Sequence, residues 1–466
     1  MAVIGILSPG NSTRWKSGDS VIVEKETGTR YVLDDEGVLH PALNFTSAVL
    51  FLGGRDDVVT VSRSSLDGAP RGAPVGIPGA PEALPAADAL LAGPWTACTT
   101  ATQTGSDPRP AVGVDLGTPP AGPVLGDSEG VLVMTADAGE QFLLVDGRRH
   151  LVASAAVLAA LGWPSTPAVP VADSWVDTVP AGPDLDFLAV PGEGDPGAEI
   201  AGLDTRLGEV FQQTGAGDGA FWVVTRDGLA EVPTVAAVLL MANPEAPSDE
   251  PSAITAGQVA SAPRADGPGP GASLPDAVPS PAEVPTGRSP TVCSTSGVPD
   301  DGGVADDGVA DDGVAGDGVA GDGVTDADST DPGTVVIRVV SDPFAGRGAG
   351  IRSGGSGGGV TAADVVRVRP GAGALVSPSG SGGVSAVFLI TDQGARFALA
   401  SRETVAALGF GDEVRPTSIP PAVLALLPDG PTLDPGLLVD APDPADDPRE
   451  RTPADDADLA VLRSTG

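Results

Sequence analysis

Four segments of this chain carry one pattern, and each copy is too short to bury an apolar face alone. The segments are Tyr31–Pro41 with Thr46–Leu52, Phe142–Val152 with Ala155–Gly162, Phe221–Pro233 with Ala236–Met241, and Phe388–Leu399 with Glu403–Gly409. Each reads as an aromatic-led strand, a polar turn ending in Gly, a second strand and a short apolar helix. The glycine supplies the positive φ that a tight hairpin needs. Gly162 and Gly409 stand where a helix closes on a left-handed residue. The copies must therefore lean on one another or on a shared scaffold. Copies two and four share a tail as well. Pro180-Ala181-Gly182-Pro183-Asp184-Leu185-Asp186 and Pro428-Asp429-Gly430-Pro431-Thr432-Leu433-Asp434 agree at five of seven positions. Common supersecondary structure explains a repeated hairpin; the shared tail points to internal duplication.

Composition supports several small units. There are 65 glycines and 47 prolines, but only five Trp, one Tyr and ten Phe in 466 residues. That leaves too few large side chains for one big core. Hydrophobic residues still reach 41%, so the chain is not disordered throughout. The formal net charge is −38. Such acidity argues against nucleic acid or an anionic lipid surface as a partner, since both need clustered Lys and Arg. Between copies three and four the pattern stops. Residues 245–290 are Pro/Ala/Ser-rich and read as an extended linker. Residues 303–323 repeat a five-residue Gly-Val-Ala-Asp-Asp-like unit, which reads as a solvated, self-repelling, disordered insert. A calcium-binding β-roll repeats every nine residues or so with a different layout. A Gly/Ser run follows at 346–359, and an acidic, mobile tail at 441–466.

Enzyme motifs are sparse. No Gly-Lys-Ser or Gly-Lys-Thr occurs, so a Walker A loop is absent. Gly354-Gly355-Ser356-Gly357-Gly358 fits a nucleophile elbow formally, but it lies in polyglycine without the flanking strand and helix that motif needs. His40 and His150 are the only histidines, which excludes a helical His-pair zinc site. They occupy related places after the hairpin turns of copies one and two, where the other copies put Ala230 or Glu231, and Arg396 or Phe397. General acid–base work is one reading; a histidine packed within a strand is the more ordinary one. Trp163 and Trp175 flank a Pro-rich turn, as a carbohydrate-stacking pair or as core packing. Cys98 and Cys293 have no nearby thiol or imidazole for zinc. They are two buried thiols or one long-range disulfide, and the residues alone leave both open.

Met1-Ala2-Val3-Ile4-Gly5-Ile6-Leu7 is apolar but stops at Ser8-Pro9-Gly10, short of a secretory core or a span of ~20 residues. It reads either as the start of a soluble chain or as the last two turns of a membrane helix that begins upstream.

Several long motifs resemble the EccB family of actinobacterial type VII (ESX) secretion systems. They are Ser8-Pro9-Gly10-Asn11-Ser12-Thr13-Arg14-Trp15, Val21–Val32, Leu39-His40-Pro41-Ala42-Leu43-Asn44-Phe45, Val61–Leu66, Gly76–Pro81 and Gly93-Pro94-Trp95-Thr96-Ala97-Cys98. Leu144-Val145-Asp146-Gly147-Arg148 and the tail of copy four agree too. The resemblance implies an α+β fold: an elongated, pseudo-twofold assembly of four strand–turn–strand–helix repeats around a central β-rich core. It implies a single-pass inner-membrane protein whose bulk is extracytoplasmic, with the disulfide mapping onto Cys98 and Cys293. Such a bridge favours the folded state by roughly 5 kcal/mol. The implied partners are EccC, EccD, EccE and further copies of the chain, with peptidoglycan as an alternative ligand because the repeats resemble wall-binding modules of phage lysins. Some family members are named ATPases; no cofactor, metal or catalytic residue is expected here, and ATP enters only through that name.

On this reading 1–20 is a post-membrane segment. Repeats span 21–62, 128–188, 189–244 and 383–440. Core segments are 63–127 with Cys98, 245–298 (partly linker) with Cys293, and 334–382 with the Gly/Ser loop. The acidic insert is 299–333 and the tail 441–466.

Overall fold

Short hairpins and helices of one to two turns form where the sequence supplies turn glycines and caps. The computed structural model describes residues 13–101, 109–200, 202–215, 219–285, 290–297, 335–341, 350–352, 363–380, 386–411 and 414–438. The acidic insert, the Gly/Ser run at 353–360 and the tail 441–466 lie outside them. The fold is mixed α+β, with five small sheets and short helices among the described residues.

The first module contains β1 (Val21–Glu24), β2 (Arg30–Leu33), β3 (Leu39–Pro41), α1 (Phe45–Phe51) and β4 (Val58–Val61). Next come β5 (Trp95–Ala101) and β6 (Pro110–Leu116). The second module has β7 (Glu129–Thr135), β8 (Gln141–Val145), β9 (Arg148–Leu151), α2 (Ala155–Ala160), β10 (Val169–Val171) and α3 (Asp173–Val176). The third has β11 (Val210–Thr214), β12 (Phe221–Thr225), β13 (Gly228–Val232), α4 (Thr234–Met241), β14 (Ser252–Thr255) and α5 (Ala256–Ser261). After β15 (Ser280–Pro281) follow β16 (Thr291–Ser296), β17 (Val335–Val340), β18 (Ile351–Arg352) and β19 (Val365–Arg367). The fourth module has β20 (Ala374–Pro378), β21 (Val387–Ile390), β22 (Arg396–Leu399), α6 (Arg402–Ala407) and β23 (Thr417–Ile419), before α7 (Pro421–Ala425).

All four module sheets share one strand order: β3-β2-β1-β4, β9-β8-β7-β10, β13-β12-β11-β14 and β22-β21-β20-β23. The fourth strand runs parallel to the first in β1–β4, β7–β10 and β11–β14. Parallel pairing requires a crossover, which the helix provides. Asn44, Ser154 and Ser401 each accept a backbone N–H three residues on and start α1, α2 and α6. The module thus exceeds the hairpin and helix read from sequence by a leading and a returning strand. Residues 245–290, read as linker, carry β14, α5 and β15, because Thr255 and Gln258 form a capping box there.

The chain divides into two units, residues 1–92, 368–418 and 427–466, and residues 93–367 with 419–426. In the first, α1 packs on α6, and Leu50 shares a core with Leu375, Leu389, Phe397 and Phe410. In the second, α2 packs on α4, and modules two and three share one core that includes Leu143, Val157, Phe211, Val223 and Leu239. The second unit also holds the six-stranded sheet β17-β16-β5-β6-β19-β18. There Cys98 and Cys293 face each other across β5 and β16 and form a disulfide, with Cα atoms 4.0 Å apart. Thr100–Thr291 and Thr96–Thr295 hydroxyl contacts of 2.8 and 3.2 Å flank it.

A further segment closes each module. β3, β9, β13 and β22 are sheet edges, and in each module a strap from later in the chain lies parallel against that edge. The bridges are Leu39–Arg71, Arg149–Ala181, Leu229–Arg264 and Arg396–Asp429. The N–H of each edge residue donates to Pro70, Pro180, Pro263 or Pro428, and its carbonyl accepts from Gly72, Gly182, Ala265 or Gly430. Residues 70–76, assigned from sequence to the central segment, are therefore the strap of module one. Beneath the strap glycine lies a ring: a Cβ at Gly72, Gly182 or Gly430 would overlap His40, His150 or Phe397. Module three has Ala230 and Ala265 at these places, so neither ring nor glycine is present.

Two predictions follow from this packing. The bridge closes a separation of 195 residues. Reducing it lowers the thermal midpoint by several degrees, measured by calorimetry with thiols counted by mass; an unchanged midpoint with two free thiols contradicts this. Gly430→Ala costs about 1–3 kcal/mol by overpacking. Adding Phe397→Ala rebuilds the Ala/Ala pair of module three. Denaturant melts should then give a double-variant cost well below the sum of the single costs.

Candidate functional site

The strap level of each module also carries a guanidinium over an aromatic face. Arg71 lies 4.7 Å from the Tyr31 centroid, Arg149 5.8 Å from Phe142, Arg264 4.4 Å from Trp222, and Arg396 5.8 Å from Phe388. The ring always comes from the module's second strand. The arginine comes from the strap in modules one and three and from the edge strand in two and four. Those are the two residues that face each other across the bridge, so either chain can fill one place. Arg149 and Arg396 also pair with Asp177 and Asp429 at 2.7 and 2.6 Å. A guanidinium over a ring contributes about 0.5–1 kcal/mol when exposed and leaves its N–H edges free to meet carboxylates. These are four similar polar-over-aromatic stations in a strongly acidic chain. The leading aromatics were legible in sequence. Their arginine partners were not, although an Arg at the strap or at the edge strand is the signal.

Both histidines are pinned by straps. The His40 Nδ1–H donates to Ala73 O at 2.9 Å, and its Nε2 lies 3.0 Å from Asp34 Oδ2. The Val38 N–H, and then His40, hold the Asp34 carboxyl below its ordinary range. The His150 Nδ1–H donates to Pro183 O at 2.7 Å. That ring is 2% exposed, and burial pushes it below the usual imidazole value. Each ring is thus a packing element at the strap. The equivalent residues are Ala230 and Phe397, not Glu231 or Arg396.

Trp163 and Trp175 are both buried, and their indole N–H groups donate to Pro279 O at 3.0 Å and Ala97 O at 2.9 Å. They peg module two in place; no carbohydrate-stacking face forms from them. Among the described residues no cluster of three metal-ligating side chains occurs. Glu24, 5% exposed, is held below its ordinary range chiefly by Arg63, whose Nε donates at 2.7 Å. That pair ties β1 to the turn after β4. A cavity of about 990 Å³ in the first unit lies between α6, β21 and β22 and residues 410–411 and 414–416, with Val387, Leu399, Val405 and Phe410 in its walls and Arg402 and Arg415 beside them. Ser401, which also lines it, is occupied as the cap of α6. The formal elbow Gly354–Gly358 lies outside the described residues.

Comparison with known proteins gives these arrangements a family. The chain is 33% identical over 254 residues to the ESX-2 secretion system ATPase EccB2 of Mycobacterium tuberculosis (strain ATCC 25618 / H37Rv), covering 52% of this chain and 48% of that protein. It is 30% identical over 260 residues to the ESX-1 secretion system ATPase EccB1 of Mycolicibacterium smegmatis (strain MKD8), covering 53% of each. The matches span about half the length of these curated relatives. Among solved structures, the periplasmic assembly from the ESX-5 inner membrane complex superposes with a TM-score of 0.69 at 25% identity, covering 96% of this chain and 99% of that chain. The EccB3 dimer from the ESX-3 core complex gives 0.70 at 24% identity, covering 90% and 100%, and bears on the fold alone. No helix among the described residues is long and apolar enough to cross a membrane. The family model described as type VII secretion system ESX-1, transport TM domain B, matches residues 1–438, and the chain belongs to that family, the EccB proteins of type VII secretion.

Proposed function

We propose that this chain is an extracytoplasmic scaffold of a type VII secretion complex in the inner membrane, working by protein–protein contact. The observation that carries the reading is the repeated module. Four copies of one sheet, each closed by a strap and faced by a ring–arginine station, build surface and not a reaction centre. The disulfide between β5 and β16 supports it, since such a bridge persists in an oxidising compartment. A similar solved chain comes from a periplasmic assembly of an inner membrane complex, and a second copy of this chain is one partner on this reading. EccC, EccD and EccE are the other partners on this reading. The ATPase in the relatives' names has no matching phosphate loop in this sequence, and we assign the chain no nucleotide.

The reading is tested by purifying the complex from the producing cell through a tag on this chain. EccC, EccD, EccE and untagged copies should co-purify. Isolated cell wall should not retain the purified chain, and phosphate release should fall to background on further purification. Firm wall retention without those partners would replace the scaffold by a wall anchor. Hydrolysis abolished by one substitution that leaves the fold intact would replace it by an enzyme.

A further inference from the structure

The place beneath the strap glycine is occupied by a ring in three modules, but the rings differ in what surrounds them. In module one the His40 Nε2 meets the Asp34 carboxylate at 3.0 Å and its Nδ1–H meets Ala73 O. Both ring nitrogens face acceptors. In module four Phe397 takes the place and carries no proton. In module two His150 is 2% exposed, and its one hydrogen bond among the described residues is Nδ1–H to Pro183 O. Asp146 in the hairpin turn, Arg148 on β9 and Asp184 on the strap are the charged groups that act on it. None of them makes a hydrogen bond to the ring. A second proton on this ring would therefore put a cation beneath the strap, on a ring 2% exposed, with no protein acceptor for Nε2 among the described residues, which is costly.

The strap of module two lies directly after the anchors that hold the module to the central sheet. Trp175 donates to Ala97 O on β5, the Thr178 hydroxyl lies 2.6 Å from that of Ser294 on β16, and the Thr99 hydroxyl of β5 accepts from the Ala172 N–H at 3.1 Å. Two residues after Thr178, Pro180 begins the strap. Gly182 and Leu185 donate to Arg149 O and Leu151 O at 2.8 and 2.7 Å. Anything that lifts this strap pulls on the segment that pegs the module to β5 and β16.

We propose that His150 is a proton-sensitive pin: taking up a proton, it loosens the strap over β9 and, through the chain at 175–180, the hold of module two on the central sheet. The sign follows from burial. The folded ring accepts its proton at lower pH than a free imidazole near 6.5, so the unfolded chain binds the proton first as pH falls. The stabilisation is complete above that value and is lost as pH drops from it toward the folded value. Modules one and four lack this response, because one ring sits against a carboxylate and the other does not titrate.

The test is hydrogen exchange on the full chain at about pH 7.5 and about pH 5, corrected for intrinsic exchange rates. Gly182 and Leu185 should lose protection several-fold in acid, while Gly430 and Leu433 of module four should not. His150→Phe, which copies the ring of module four, should abolish the difference. Equal loss in both straps, or loss that persists in His150→Phe, overturns the proposal. A second readout does not need the variant to fold well. The two imidazoles can be titrated by NMR in the wild type and assigned with His40→Gln. The remaining signal should titrate below the free-imidazole midpoint of about 6.5, and a midpoint at or above it overturns the proposal.

Discussion

The parallel pairing of a strap against the edge of each module sheet is the contact on which the architecture rests. A three-residue strand such as β3 leaves an unpaired row of N–H and C=O groups, and an open edge invites pairing with another chain. The strap answers two or more of those groups in every module, with hydrogen bonds of 2.7–3.1 Å. In modules one, two and four it does so twice, at Leu39–Arg71 and Ala42–Val75, Arg149–Ala181 and Val152–Leu185, and Arg396–Asp429 and Leu399–Leu433. Because the strap arrives some thirty residues after the strand it covers, it also encloses the helix and the returning strand. One contact thus closes the edge and fixes the crossover.

Packing under the strap explains the residue choices. A large ring on the edge strand needs a neighbour with no Cβ, so His40, His150 and Phe397 stand against glycines. Where the ring is absent, as at Ala230, the strap residue is Ala265, which is partly buried against the core of modules two and three. The exchange keeps volume roughly constant across the interface, as close-packed interiors require. The arginine over the leading aromatic obeys a similar economy. It comes from whichever side of the bridge has the arginine, and it lies over the leading ring.

The hairpins and first helices were legible because their signals are local: an aromatic-led apolar run, a turn glycine and a capping Asn or Ser. The leading and returning strands were not. β14 is Ser-Ala-Ile-Thr, with one buried side chain, and nothing in its composition separates it from the Pro/Ser/Ala stretch around it. Both faces of β1 are buried, with Val21 and Ile22 fully covered, so the alternation that marks a one-sided strand is missing. The strap is least visible, since it bridges through one or two residues and has no period. It showed in sequence only where its Pro-x-Gly-Pro-x-Leu-Asp form recurs, in modules two and four. At the candidate site, the histidine positions were readable, but their role was set by the strap glycine more than thirty residues away.

The central sheet imposes a different constraint. β5 and β16 are far apart in sequence, and their pairing must be found across a chain whose intervening part forms two modules of its own. A disulfide at the directly opposed pair Cys98–Cys293 fixes that register, because a one-residue slip would turn every side chain to the wrong face. The row Thr96, Cys98 and Thr100 on one face then meets Thr295, Cys293 and Thr291, while Ala97, Thr99 and Ser294 on the other face receive Trp175, Ala172 and Thr178 of module two. The covalent link and the module anchors therefore use opposite faces of the same two strands. The register of the two strands and the seat of module two are thus fixed by separate sets of side chains.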